Sequence, residues 1–351
     1  MNPITVASVA TALPEHTITD ADVKRYFKHV FSIPEDRLRV MMTVVDNAQI
    51  DRRFCVNDID TIIEPRPINE LSCEYQKHSI ELGHKAAVAA LDEAGIEASD
   101  VDVVITVSCT GFMIPSLDAH LINMMGMRSN VRRLPVTELG CAAGAAMLAR
   151  ASDFLRDTED KTVLVVSVEI PSLTFQRGDL SPANLISSIL FGDGAAAAVV
   201  TTRRAQGPRI LETESYLFPD SIGAMGFDLK NSGFHIVLSR DVPDLIRSRI
   251  RGLVDRFLEN NGLSRQTVPA FVLHPGGQKL LSFVEEELEL PRTATQPSWD
   301  ILREFGNLSS ASVLFVLDRW MRQQSPAPGS HGLLAAFGPG FSAEMLLLEW
   351  T

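Results

Sequence analysis

The chain has 351 residues, of which 45% are hydrophobic and 22% charged, with a formal net charge of −12. That size and apolar share provide for two domains or one large duplicated unit with a sizeable core, while the acidic balance argues against a nucleic-acid partner and demands a local basic mouth for any polyanionic ligand. No run of about 18 apolar residues occurs, which excludes a membrane-spanning helix; four scattered cysteines without a CxxC pair, and no secretion signal, point to free thiols in a reducing cytoplasm.

Residues 1–14 are mildly apolar, lack a basic start, and predict a first strand rather than a signal peptide. Residues 72–94 predict a long helix closed by Gly95, and the nearly continuous apolar run 101–107 predicts a strand buried on both faces. Cys141 opens an alanine-rich helix over 141–155. Further buried strands follow at 162–168 and 195–200, separated by the turn Phe191-Gly192-Asp193-Gly194. A boundary between two halves falls near 203–208, at Arg203-Arg204-Ala205-Gln206-Gly207-Pro208. The stretch 241–261 starts with Asp-Val-Pro, ends at Asn261-Gly262, and predicts one helix. The strand Ala270–Leu273 runs into His274-Pro275-Gly276-Gly277, and a helix over Gln278–Leu288 follows. Gly306-Asn307 leads into a last helix over 309–323, then a surface loop at 324–330. A strand at 333–337 closes on Phe337-Gly338-Pro339-Gly340. The alternation argues an α/β protein. The helix starts at Cys141 and Asn307, each followed by a buried strand and a glycine-rich turn, are a weak internal echo that two halves of similar plan would explain; chance is the alternative.

Three residues carry potential chemistry. A thiol at a helix start faces unpaired N–H groups and the positive end of the macrodipole, both of which favour thiolate at Cys141; a buried cysteine that merely packs is the alternative. His274 lies beyond the carboxyl end of a strand, where α/β sheets bind ligands, and can act as base toward a thiol; a solvated turn histidine is the alternative. Asn307 is either a helix cap or a neutral donor to an oxyanion or enolate. The order Cys, His, Asn also occurs in papain-like proteases, but Gly140-Cys141-Ala142-Ala143-Gly144 lacks that class's local pattern. No HExxH, spaced Cys/His cluster or GxxxxGK[ST] loop occurs, so neither a metal site nor a phosphate loop is expected.

Taken together, Glu138-Leu139-Gly140-Cys141-Ala142-Ala143-Gly144, Leu190-Phe191-Gly192-Asp193-Gly194, His274-Pro275-Gly276-Gly277, Gly306-Asn307-Leu308-Ser309-Ser310-Ala311 and Phe337-Gly338-Pro339-Gly340 resemble the type III polyketide synthases, the chalcone-synthase superfamily. The motifs stand in the family's order and cover residues 100–351; residues 1–99 match more loosely. The resemblance implies a thiolase-like fold, with two duplicated α/β halves packed as a layered α-β-α-β-α core. Residues 1–205 would form the half carrying the nucleophilic cysteine, and 206–351 the half carrying His and Asn.

The resemblance further implies an acyltransferase that adds malonyl-CoA to an acyl-CoA starter by decarboxylative Claisen condensation and cyclises the product. Cys141 would carry the acyl chain, and His274 and Asn307 would stabilise the enolate. Phe191 is similar to the family's aromatic gate. Cys109, Thr174, Phe227, Ile236 and Ser309 would line the cavity, Gly338 would belong to a loop shaping its wall, and Ile114 would reach into the partner subunit of a homodimer. Coenzyme A thioesters are then substrates, and no permanently bound cofactor is implied. The family's basic cluster is poorly matched around 40–47; Arg37, Arg39, Arg52 and Lys279 are substitutes for holding the phosphates. Phe227 stands where plant members carry glycine, Cys109 where many carry threonine, and Ile236 where a second gating aromatic is common. An aliphatic starter leading to a pyrone or resorcinol is the first expectation for the product, a malonyl-primed naphthalene the second. A carrier-protein-dependent ketosynthase of the KAS III type and a catalytically silent binding partner are the alternatives.

Overall fold

The computed structural model describes residues 2–30, 34–203, 205–324 and 326–351, the side chain of His29 excepted. Met1 of the expected first strand, Arg204 of the expected boundary and Ser325 of the expected loop lie outside them. The first part of the chain runs β1 (Thr5–Ala12), β2 (His16–Thr19), α1 (Asp20–His29), α2 (Glu35–Asn47), β3 (Arg52–Cys55), α3 (Ile59–Ile63), α4 (Ile68–Ala94), β4 (Val103–Val107), α5 (Leu117–Met124), β5 (Arg132–Val136), α6 (Ala143–Leu155), β6 (Thr162–Glu169), α7 (Pro182–Leu190) and β7 (Gly194–Thr201). The second runs β8 (Arg209–Leu217), β9 (Met225–Lys230), β10 (Gly233–Leu238), α8 (Val242–Arg247), α9 (Ile250–Asn260), β11 (Ala270–Leu273), α10 (Gln278–Leu288), α11 (Gln296–Phe305), α12 (Ser312–Gln323), β12 (His331–Gly338) and β13 (Ser342–Glu349).

Nine of these strands are hydrogen-bonded in the order β11-β12-β13-β8-β1-β7-β6-β4-β5. The two parts of that run are joined by a single pairing, Thr5 with Arg209. Alternation along the strands explains the layering, because successive side chains face opposite sides. In β6, Leu164 and Val166 pack outward against Ala86, Ala87 and Ala90 of α4, with Leu121 of α5. Val163 and Val165 pack inward with Ala145 and Leu148 of α6 and Val313 and Leu317 of α12. The same inner cluster takes Val272 of β11, Leu334 of β12 and Leu346 of β13. Their neighbours Phe271, Leu333 and Leu347 face the other way, onto Leu253 and Phe257 of α9 and Leu281 and Val284 of α10. Helices α6 and α12 are therefore sandwiched between the two sets of strands, with helices outside both. Each fully buried Leu, Val or Phe contributes roughly 1.5–3 kcal/mol relative to exposure.

Burial on both faces is why β4, β6 and β7 read as nearly continuous apolar runs. Helix α4 stops at Gly95, in the left-handed region at φ 64°, and Ile96 N–H donates back to the Leu91 carbonyl at 3.1 Å. The helix expected over 241–261 is instead two, α8 and α9, broken at Arg249 (φ −133°, ψ −22°). The buried stripe Val242, Ile246, Ile250, Leu253 runs across the break, so periodicity alone reads through it. Among the described residues no helix is long and apolar enough to cross a membrane.

Candidate active site

Cys141 sits in a short 3-10 turn, Gly140–Ala142, and α6 proper starts at Ala143. The loop after β12 is pressed onto this turn. A Cβ on Gly338 would stand 2.5 Å from the Leu139 carbonyl oxygen and 2.7 Å from Ala142 N, and one on Gly140, itself at φ 50°, would stand 2.5 Å from Pro339 Cδ. Glycines at 140 and 338 are what let the two loops touch. Gly338 thus backs the cysteine turn, and its neighbour Pro339 forms cavity wall.

The second helix start mirrors the first: Ser309–Ala311 is a 3-10 turn leading into α12. The Cys141 thiol lies 3.6 Å from Ser309 Oγ. Ser309 N–H donates to Asn307 Oδ1 at 2.8 Å, and Ser312 Oγ reaches the same oxygen at 3.4 Å. With its oxygen held twice, the amide presents its NH2 end, which donates to the Gly276 carbonyl at a long 3.3 Å. Gly276 is in turn packed by the His274 ring: a Cβ there would lie 3.4 Å from His274 Cδ2 and 3.5 Å from Nε2. His274 follows β11 directly, fixed by its N–H to the Ala335 carbonyl at 2.9 Å. The three residues singled out by sequence are thus linked through Ser309 and Gly276, and all three are buried.

Burial governs their protonation. It pushes the Cys141 thiol up to about 12, against a hydrogen bond with Ser309 that lowers it and with the Glu169 carboxylate raising it further. Burial alone takes the His274 imidazole down to about 3. The thiolate expected at Cys141 is therefore corrected to a neutral thiol in the resting site. The helix-start advantage is outweighed by desolvation, because the cysteine, at 8% exposure, has lost most of its water.

Beside Cys141 opens a cavity of about 420 Å³. Cys109, Thr174, Phe191, Phe227, Ile236 and Ser309 all line it. Ile114 and Lys279 do not: Ile114 projects into solvent at 80% exposure, and Lys279 is exposed on α10. Phe234 lines the cavity as well and meets Phe227 edge-on with ring centroids 5.7 Å apart. An aromatic is therefore present on the same face of β10 as Ile236, two residues earlier. One arm of the cavity is apolar, walled by Val23, Phe27, Ile59 and Ile62.

Several site residues escape sequence reasoning. Glu169, wholly buried at the end of β6, accepts hydrogen bonds from Ser310 Oγ, from Thr110 Oγ1 at 2.8 Å and from Cys109 N at 3.1 Å. Burial pushes its carboxyl up against those hydrogen bonds. Cys109 Sγ lies 3.5 Å from both Glu169 Oε1 and Ser309 Oγ, and burial raises that thiol too. Asp193, buried and pushed up to about 6 by burial, accepts from Val56 N and Ser172 N, each at 2.9 Å. It anchors the Phe191 loop, which is stitched to Asn307 by Asn307 N to the Leu190 carbonyl at 2.8 Å and Gly192 N to the Asn307 carbonyl at 3.1 Å. Lone acids interrupting apolar or glycine-rich sequence were the available signal.

Two sets of strands around a central helix pair, with a cysteine and an asparagine at matching helix starts, define a thiolase-like acyl-transferring enzyme. Family models for chalcone and stilbene synthases match the N-terminal domain over residues 2–203 and the C-terminal domain over 210–350. A 1,3,6,8-tetrahydroxynaphthalene synthase from Streptomyces peucetius subsp. caesius is 39% identical over 98% of this chain and 93% of its own length. A phloroglucinol synthase from Pseudomonas fluorescens is 35% identical over 96% of this chain and 97% of its own. The crystal structure of 1,3,6,8-tetrahydroxynaphthalene synthase from Streptomyces coelicolor A3(2), a bacterial type III polyketide synthase, superposes with a TM-score of 0.96 at 34% identity, covering 99% of both chains. The chain belongs to the chalcone and stilbene synthase family and is a type III polyketide synthase, an acyltransferase.

Proposed function

We propose that the chain builds a small polyhydroxylated aromatic from malonyl-CoA, with Cys141 carrying the growing chain. The observation that carries the site assignment is the linkage of Cys141 to Asn307 and His274 through Ser309 and Gly276; of these, Cys141 and Ser309 line the cavity, and His274, Asn307 and Gly276 do not. The neutral imidazole of His274 takes the Cys141 proton as sulfur attacks the starter thioester carbonyl, and coenzyme A leaves as its thiol. Malonyl-CoA then loses carbon dioxide. The Asn307 NH2 and the His274 ring donate to the thioester oxygen, where the enolate's charge develops. The enolate carbon attacks the acyl-Cys141 carbonyl and the C–S bond to Cys141 breaks, leaving the lengthened chain as a thioester of coenzyme A; the freed sulfur then attacks that thioester, coenzyme A leaves as its thiol, and the chain is back on Cys141 for the next cycle.

Support for the product class comes from the relatives, whose names give ring systems with oxygens on alternate carbons and no alkyl side chain. A second reading, an aliphatic starter closing to a pyrone or resorcinol, is favoured by the apolar arm of the cavity at Val23, Phe27, Ile59 and Ile62. Mass spectrometry decides between them. Malonyl-CoA alone should yield an aromatic product; product only when a medium-chain acyl-CoA is added would establish the second reading. Phe227→Gly should shift either profile toward longer starters or one more extension, and an unchanged profile would remove Phe227 as a wall. We also assign the exposed Phe112 and Ile114, at 61% and 80% exposure, to a homodimer face, with sedimentation as its test. Exposed Lys279, with Arg37, Arg39 and Arg52, is assigned to steering the coenzyme A phosphates.

A further inference from the structure

The hairpin of β9 and β10 walls the cavity with Phe227, Phe234 and Ile236. Its other face carries a second group of reactive side chains that no step above uses. Ser232, exposed in the two-residue turn, has its Oγ 2.7 Å from His235 Nε2. The opposite ring nitrogen, Nδ1, is buried and makes no hydrogen bond, with Asp179 Oδ2 standing 3.5 Å away. Hydroxyl, imidazole and carboxylate thus stand in the order that makes a serine nucleophilic, with the imidazole between the other two.

The arrangement is held in place. Asp179 Oδ1 accepts from Ser181 N at 2.8 Å, which leaves Oδ2 for the ring, and Asn184 Nδ2 donates to the Asp179 carbonyl at 2.8 Å. Burial raises the Asp179 carboxyl, and the Ser181 hydrogen bonds with His235 more than offset it, so it stays ionised. Gln176 Nε2 donates to the Ser232 and Phe234 carbonyls at 3.1 and 3.3 Å and clamps the turn to the body of the protein. Among the described residues, the backbone N–H groups of Asn231 and Ser232 meet no acceptor. They are free to donate to an oxygen that gains charge beside Ser232 Oγ.

We propose that Ser232, His235 and Asp179 form a second nucleophilic site that cleaves short acyl thioesters and esters independently of Cys141. Ser232 Oγ attacks the acyl carbonyl and its proton passes to His235 Nε2. The carbonyl C–S or C–O bond breaks, and the departing thiolate or alkoxide takes that proton. Water, deprotonated by the same nitrogen, then attacks acyl-Ser232 to release the carboxylic acid and restore the hydroxyl. The open turn suits short, unhindered acyl groups. The test uses the full chain carrying Cys141→Ala, so that a failed assignment of the condensing site cannot affect it. With p-nitrophenyl acetate this variant should turn over, and a fluorophosphonate should form an adduct mapped to Ser232 by peptide mass spectrometry. Adding Ser232→Ala should remove both signals, and adding His235→Gln should slow both by at least about 100-fold. No adduct at Ser232, or an adduct formed at the same rate with His235→Gln, would overturn the proposal and leave the contact as a bond that merely braces the turn.

Discussion

At the scale of single residues, burial drives the Cys141 thiol up to about 12 and the His274 imidazole down to about 3, so both rest neutral at pH 7. Iodoacetamide inactivation of the free enzyme should therefore quicken about tenfold per pH unit from 7 to 10, since only thiolate reacts; a plateau below pH 8 would reveal a thiolate–imidazolium pair instead. Asn307→Ala should still load a starter on Cys141, seen as an intact-mass increment, while malonyl-CoA decarboxylation slows by roughly 10²–10³. Normal decarboxylation with lost loading would assign the amide a different task. Cys141, His274 and Asn307 were legible because each stands at a strand end or helix start among small residues. Glu169 and Asp193 were not, because what gives them meaning is which distant donors surround them, Ser310 and Thr110 for one, Val56 and Ser172 for the other.

At the scale of elements, the site depends on α6 and α12 crossing at close range. Gly144 is the contact: a Cβ there would stand 2.1 Å from the Ser310 carbonyl oxygen and 2.6 Å from Val313 Cγ1. Gly144→Ala should cost about 1–3 kcal/mol in urea denaturation, the range for overpacked cores, and should depress condensation by pushing Ser309 away from Cys141. An unchanged midpoint would mean that α12 yields without resistance. Strands such as Ala270–Leu273 were readable because both faces are buried and every residue is apolar. Strands β8 and β9 were missed because they are mostly exposed or half-exposed and mix charged residues with apolar ones irregularly, and β10 because it is only half-buried. The glycine-free, proline-free break at Arg249 left no mark in the sequence that periodicity could detect.

At the scale of the whole molecule, His274 ties stability to pH. The unfolded chain gains a proton near 6.5 that the folded chain refuses until about 3. Its contribution is full above 6.5 and is lost as pH falls, by about 1.4 kcal/mol per unit. Asp193 acts in the opposite sense between 3.8 and about 6, since its buried carboxyl keeps a proton that the unfolded chain releases. Comparison with His274→Gln isolates the histidine: the stability gap between the two proteins should move against wild type by that slope as pH drops below 6.5. A gap independent of pH would show that the fold accommodates the imidazolium. The linkage of Cys141 to Ser309 also has a kinetic consequence. These residues are 168 positions apart in the chain yet 3.6 Å apart in space, and each belongs to a helix start that local contacts can build alone. Closing so long a loop is slow relative to forming helices and hairpins. On refolding from denaturant, far-UV ellipticity should return before condensing activity, and activity should report the docking of the last long-range contacts; simultaneous recovery would mean that the centre is already assembled in the earliest compact state.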